Sequence, residues 1–437
     1  MFRPLDLAYL LGLATASPWL LYRALTTGRY RRYPLARLLG SVGLPPARRD
    51  RPRAWFHGVS VGEVHLLRQV VAAFRKRHPT WECVISATTD TGLDEARRLF
   101  DHPDCRVIVW PLDFSWAVRR ALDAVQPRLL VLAEGELWPN MLRAAKARRI
   151  PVAVINGRLS PKSARRYQKL GAFARPMLQG VDLFAVQTDE YAEALKSLGV
   201  LATKVAVTGS VKYDGLTCDR DNDKTANLGR LFALDAADPV WVAGSTQAPE
   251  EKIVLSIWRA ARQRYKRLRL VLVPRQKDRF DEVAALVKRM GLPLVRRSSL
   301  KDKPLTDRDA VILVDTIGEL GAVWGLADVA FVGGSLDGKR GGQNMLEPAA
   351  YGAAVVFGPH VWNFRDAAGR LVREGGAVQV ADAASLEGAV LELLADVRRR
   401  KQLGATARRL VVAQQGATRR TLEALDFLIA PRLARVG

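Results

Sequence analysis

Residues 55–64, WFHGVSVGEV, decide how the rest of the chain is read. The apolar, aromatic run up to Gly58 predicts a strand. A turn of small residues, Gly58, Ser60 and Gly62, leads from it into a helix whose Val64, Leu67, Val71 and Phe74 fall close to one face. Glu63 then stands in the first helical turn at the carboxyl end of a strand, where open α/β sheets bind their ligands. A carboxylate there serves either as a catalytic base or as a first-turn acid that complements the helix dipole for about 0.3–1 kcal/mol. The helix start favours its ionised form, so the expectation is a ready proton acceptor but not a strong base.

The pattern of that stretch repeats outward. From 54 to about 210, AWFHGVS, ECVISATT, RVIVWPL, LLVLAEG, PVAVINGRLS, LFAVQ and KVAVTGS read as strands separated by amphipathic helices. Such βαβ repetition predicts a parallel sheet covered on both faces. Residues 214–238, with the polar run DRDNDK, read as a connection, and a second alternation follows in VWVAGST, LRLVLVP, AVILVDT, VAFVGGS and AVVFGP. The expected organisation is an N-terminal segment over 1–33, a first βα domain over 34–213, a linker over 214–238 and a second βα domain over 239–404. A helical stretch over 405–437 is expected to pack back on the first domain. Two such domains imply a cleft between them, a favoured place for ligands.

Residues 5–22, LDLAYLLGLATASPWLLY, would extend about 27 Å as a helix, just enough to span a bilayer. Arginines at 23, 29, 31, 32, 37, 48, 49, 51 and 53 follow, a bias that holds the domains on the cytoplasmic side of the inner membrane. A cleaved leader ending near Ala16 and an interfacial helix interrupted at Pro18 are the other two readings. The chain of 437 residues carries a formal charge of +24, which suits an anionic membrane and its lipids. The basic residues are spread along the chain and no nucleic-acid fingerprint occurs, so no nucleic-acid partner is expected. Cys83, Cys105 and Cys218, odd in number and far apart, argue against a disulfide framework and a metal site, and no cofactor is expected.

The densest site-like stretch of the second half is GGSLDGKRGGQNMLEPAAYG, residues 333–352. A strand end, a glycine-rich loop through Gly342 and a helix starting near Asn344, with Glu347 in its first turn, offer backbone amides to a phosphate or carboxylate. Gly244 and Ser245 in AGSTQ, Arg275 in VPRQKDRF and Lys212 in TGSVKYD end other strands and add amides, a hydroxyl and positive charge. AEGELWPN places Glu134 and Glu136 after a further strand, as site residues or as helix-start acids, and Arg158 opens the basic cluster GRLSPKSARRY.

The ordered set HGVSVGE, ELWPN, GRLSPKSARRY, VTGSVKYD, AGST, DTIGEL, FVGGSL, NMLEPAA and GPHVWNF resembles the 3-deoxy-D-manno-octulosonate (Kdo) transferases, from the N-terminal segment to about residue 375. The resemblance implies a GT-B fold of two Rossmann-like domains with a membrane-anchor helix. It implies CMP-Kdo as donor, a lipid A precursor as acceptor, and inversion by direct displacement of CMP with Glu63 as general base. It assigns Ser60, Gly62, Glu134, Glu136 and Arg158 to the acceptor, and Lys212, Gly244, Ser245, Arg275, Gly342, Asn344 and Glu347 to the donor. Where that family usually has histidine, this chain has Gln247, Gln276 and Gln343, and Gly135 departs from the pattern as well. Glutamine hydrogen-bonds but carries no charge, so donor affinity and pH dependence are open to change. Another GT-B nucleotide-sugar enzyme and a non-catalytic polyanion-binding derivative are the alternatives.

Overall fold

The computed structural model describes residues 4–27, 32–48, 50–159, 161–171, 174–301 and 303–433. The chain divides into two compact units, Met1–Asp214 with Gln415–Gly437, and Gly215–Gln414.

In the first unit β1 (Arg53–Gly58), β2 (Glu82–Ala87), β3 (Cys105–Val109), β4 (Pro127–Ala133), β5 (Val152–Gly157), β6 (Leu183–Val186) and β7 (Val205–Val207) form a parallel sheet in the order β3-β2-β1-β4-β5-β6-β7. The alternation of side chains sends Phe56 to the face covered by the helix Val61–Arg77, where it meets Phe74 edge-on. Trp55 goes to the opposite face, among Val118, Leu122 and Leu130. Burial on both faces is why these strands read as continuous apolar runs. The last helix, Ala417–Leu433, adds Ala417, Leu422, Leu425 and Ile429 to the Phe56 core. Asp214 fixes its start by accepting the N–H of Gly416 and of Thr418.

The second unit repeats the plan with β8 (Val240–Thr246), β9 (Arg269–Pro274), β10 (Leu294–Arg296), β11 (Val311–Leu313), β12 (Val329–Val332), β13 (Ala354–Phe357) and β14 (Ala377–Gln379), ordered β10-β11-β9-β8-β12-β13-β14, again parallel. The segment 214–238 is no linker. It opens the second unit at Gly215 and holds the helix Asp223–Leu231, which buries Thr225, Leu228 and Leu231. Its polar text misleads because DRDNDK is the capping turn, in which the Asn222 side chain accepts the Thr225 N–H. Likewise residues 405–414 finish the helix Val397–Gln414 of the second unit, and the chain returns to the first at Gln415.

The apolar N-terminal run forms the helix Pro4–Thr27, but among the described residues no helix is long and apolar enough to cross a membrane. Asp6 and the hydroxyls of Thr15 and Ser17 dilute its apolar character. Its first turns do structural work instead. Asp6 is buried and accepts hydrogen bonds from the Ser115 N–H (2.8 Å) and Oγ (2.6 Å), while the Tyr9 hydroxyl donates to Asp113 (3.0 Å). Leu7, Leu11 and Trp19 remain exposed. Arg29, Arg31 and Arg49 of the basic flank lie outside the described residues.

Candidate active site

In the first sheet the strand order reverses between β1 and β4, and ligands of open α/β sheets bind at the carboxyl ends flanking such a point. Glu63 follows β1 there, and Glu134 and Glu136 follow β4. A Cβ on Gly58 would stand 3.0 Å from the Glu63 Cβ and 3.3 Å from the Leu67 side chain, so glycine lets the helix start this close to the strand. The Glu63 carboxylate accepts the Val59 N–H (2.8 Å) and the Ser60 hydroxyl (3.1 Å), and exposed Gly62 leaves its approach open. Burial pushes its pKa up to about 7, with the charges of Glu134 and Glu136 adding to the rise against the two hydrogen bonds. The helix-start expectation of an easily ionised acid loses to burial. The carboxylate's two donors, the Val59 N–H and the Ser60 hydroxyl, stand before the first helical turn, and too little water reaches it to hold its charge at low pH.

Glu134 sits on a left-handed residue (φ 58°) and its Oε1 accepts from Asn156 Nδ2 (3.1 Å) and Lys212 Nζ (2.9 Å). Lys212 belongs to the first unit, beside the residues assigned to the acceptor. Burial raises the Glu136 pKa. Arg158 is exposed and its N–H donates to the Glu134 carbonyl (3.4 Å). His57, in the same motif as Glu63, is structural: it is buried, stacked on Trp110 (3.7 Å, 16°) and lowered to a pKa of about 3 by that burial.

In the second sheet the order reverses between β8 and β12, and the remaining assigned residues lie at or after the carboxyl ends of these strands and of β9. Gly244 lies near the end of β8, where a Cβ would be 2.4 Å from the Trp324 ring, and Ser245 follows in the left-handed region (φ 55°). Arg275 is exposed after β9, its N–H donating to the Thr246 carbonyl (3.0 Å). Gly342 (φ 77°) closes the glycine-rich loop by donating its N–H to the Gly334 carbonyl (2.8 Å). Asn344 braces Glu347 through Nδ2 (3.0 Å), and burial raises the Glu347 pKa while Asn344, Trp324 and nearby Arg275 hold it down. A cavity of about 510 Å³ opens beside Glu347, lined further by Asn222, Lys224, Gly318 and Glu319. Residues of the supposed linker thus help to form it.

One residue escaped the sequence reading. Glu250 is buried after β8, and its carboxylate accepts the N–H groups of Gln247 (3.0 Å), Gly334 (2.7 Å), Ser335 (3.0 Å) and Leu336 (3.1 Å). Three of the loop amides that the sequence offered to a phosphate, those of Gly334, Ser335 and Leu336, are therefore consumed inside the protein. The signal was an acid three residues after Gln247 at a helix start, indistinguishable by text from Glu251 next to it. The site still holds unpartnered polar atoms: Thr246 Oγ1 and Gln247 Oε1 are buried without a hydrogen-bond partner. Gln247 and Gln343 both close on Gly334, where a Cβ would meet their Nε2 atoms at 3.1 and 3.3 Å.

The molecule thus offers one unit with an elevated-pKa carboxylate among further acids, and one with a cavity that Glu347 lines together with Asn222 and Lys224. A family model described as 3-deoxy-D-manno-octulosonic-acid transferase (kdotransferase) matches residues 36–215. The 3-deoxy-D-manno-octulosonic acid transferase of Haemophilus influenzae is 35% identical over 435 residues, covering 99% of this chain and 96% of the relative. The chain belongs to the Kdo transferase family. The enzyme of that name from Bordetella pertussis is 36% identical over 430 residues, 96% of this chain and 98% of its own. A glycosyltransferase from Rickettsia africae ESF-5 shares the fold, with TM-score 0.54 at 11% identity over 87% of this chain and 99% of the other. As a member of that family the chain has the two-sheet architecture of a GT-B glycosyltransferase.

Proposed function

We propose that this Kdo transferase moves Kdo from CMP-Kdo to a lipid A precursor, lipid IVA, with inversion at the anomeric carbon. Glu63 takes the proton of the acceptor hydroxyl as the hydroxyl oxygen attacks the anomeric carbon, and the bond from that carbon to the CMP phosphate oxygen breaks. The observation that carries the reading is the buried Glu63 carboxyl with a pKa of about 7, poised to accept a proton near neutral pH. Ser60, Gly62, Glu134, Glu136 and Arg158 surround the acceptor. The nucleotide occupies the cavity that Glu347 lines, and Asn344, Gly342, Gly244 and Ser245 are the further donor-binding residues. Arg275 offsets the charge that develops on the departing phosphate, the role in which a guanidinium lowers a transition state. Lys212, paired with Glu134, tunes the carboxylate cluster.

The enzyme works at the cytoplasmic face of the inner membrane, attached through the apolar side chains of the Pro4–Thr27 helix that stay exposed. The charge of +24 suits an anionic donor, a phosphorylated lipid and that surface. Transfer of radiolabelled Kdo from CMP-Kdo to lipid IVA, with mass spectrometry of the product, tests the reading and counts the Kdo units added. No labelled product, or label on another acceptor class alone, removes it.

A further inference from the structure

A cleft of about 670 Å³ opens in the second unit between the Tyr351–Gly352 turn and the helix Val397–Gln414. Asp328 and Gly352, which line it, precede β12 and β13, so it lies at the amino ends of the strands. Gly244, Ser245 and the glycine-rich loop lie at the opposite, carboxyl ends.

The helix carries six arginines and lysines and no acid. Its i, i+4 rows place Lys401, Ala405, Arg409 and Ala413 in one line and Arg400, Gly404, Arg408 and Val412 in the next. Each row therefore runs cation, small residue, cation, apolar residue. Gly404 is small by necessity, because a Cβ there would meet the Gly352 carbonyl oxygen at 2.1 Å. The two cation pairs are eight residues, or about 12 Å, apart.

These charges are not neutralised within the protein. Among the described residues Arg400, Lys401, Arg408 and Arg409 form no ion pair, whereas Arg399, off the cleft, pairs with Glu392, and Arg419 of the last helix pairs with Glu423. Arg220 in the cleft donates only to carbonyls, those of Tyr351 (2.8 Å) and Ala327 (2.7 Å). The one acid in the lining, Asp328, accepts the Val240 N–H (2.9 Å). A solvated basic helix normally intersperses acids; this one sets four cations, with Arg220 a fifth, around a concavity that ends in apolar surface.

We propose that this groove binds the phosphate groups of an anionic amphiphile such as an acidic phospholipid, at a site separate from the donor cavity. Guanidinium and ammonium groups on one concave wall match phosphate oxygens. Val412 and Ala413 at the end of the rows give hydrocarbon a place to lie. Nucleic acid is disfavoured because the only aromatic in the lining, Tyr351, is buried and presents no face for base stacking.

The test titrates the full chain with dioctanoyl phosphatidylglycerol below its micelle threshold, with the phosphatidylcholine analogue, with pyrophosphate and with a short single-stranded oligonucleotide, reading heat and hydrogen exchange over 397–414. Wild type binds the glycerol lipid and protects that helix. K401E/R409E weakens binding at least about tenfold, since each cation facing anionic lipid adds measurably. R399E stays within about twofold, as Arg399 lies off the cleft. Both reversed positions are exposed, and K401Q/R409Q, with the same direction and smaller loss, repeats the test should the reversed chain melt early. Pyrophosphate binding with the same loss upholds the phosphate site and makes free phosphate a source; lipid binding alone makes the source a membrane. Unchanged affinity in both double variants, no protection of 397–414, no binding of either ligand by wild type, or oligonucleotide binding without lipid binding overturns the proposal.

Discussion

Lys212 Nζ lies 2.9 Å from Glu134 Oε1, joining two residues that the resemblance assigned to different substrates. Asn156 Nδ2 donates to the same oxygen (3.1 Å) and Asn156 Oδ1 accepts the Val211 N–H (3.0 Å), so the ends of β4 and β5 and the turn at Lys212 form one unit. The Glu134 charge helps raise the Glu63 pKa. Removing the lysine leaves that charge less compensated. Lys212→Gln should move the acidic limb of kcat/KM to higher pH, and Glu134→Gln should move it lower. A pH profile of both variants checks the signs, and limbs that stay in place would separate the pair from Glu63.

Glu250 accepts four backbone N–H groups, for which no other partner occurs among the described residues. Glu250→Ala strands buried donors at about 1–3 kcal/mol each, so unfolding stability should drop by at least about 3 kcal/mol. Glu250→Gln, which keeps one acceptor oxygen, should lose less. Denaturant titration of the two variants gives the ranking.

The fold was legible because parallel strands buried on both faces write themselves as apolar runs, whereas the two reversal points emerge only from the order of the strands in each sheet. Glu63 was legible because a narrow turn of small residues precedes it. What the text hid were partners distant in sequence. Glu250 and the 334–336 amides are more than eighty residues apart, and Lys212 is far from Glu134. Asp6 looked like a blemish in an apolar segment because Ser115, whose N–H and hydroxyl it accepts, lies over a hundred residues on. The 214–238 segment was misread for a related reason: cap and turn residues are polar whether they end a domain or start a helix.

Gln343 is half-buried and Arg275 exposed, and both belong to the proposed donor site. Phosphate binding that rests on the arginine should collapse in Arg275→Ala, by at least about tenfold in CMP-Kdo affinity, since charge-assisted hydrogen bonds contribute about 1.5–3 kcal/mol. Gln343→His should change it little. A large gain in activity from histidine at 247, 276 or 343 would instead mark a site weakened by the loss of imidazole. Isothermal titration with the nucleotide sugar separates the two.

Asp6→Ala should free the start of the Pro4–Thr27 helix, because Ser115 loses its acceptor at both N–H and hydroxyl. The expected cost is about 2 kcal/mol or more of docking free energy, the usual cost of buried donors left unpaired. Limited proteolysis reads it as faster cleavage within the first thirty residues while the sheets stay intact. Asp6→Asn, which retains an acceptor oxygen, should fall between.

Glu63 gives the most discriminating test. An acceptor hydroxyl is a poor nucleophile at neutral pH, and a positioned base contributes on the order of 100-fold to 10,000-fold. With the Glu63 pKa at about 7, the proton-accepting form falls roughly tenfold per pH unit below that point, so kcat should rise with unit slope to about pH 7 and then level. Glu63→Gln keeps the shape and an oxygen for the Val59 N–H but cannot take a proton. Turnover should fall at least about 100-fold and the limb near pH 7 should vanish. Stability should move the other way. The folded-state pKa lies above the reference of 4.5, so the folded chain binds the extra proton and loses stability as pH rises from about 4.5 to about 7. Above pH 7 the variant is relieved of that cost, and its melting temperature should equal or exceed that of wild type. A variant that turns over normally makes Glu63 only a helix-start acid and shifts the role to Glu134 or Glu136. A variant that melts early at pH 8 shows instead that the ionised carboxylate holds the turn together.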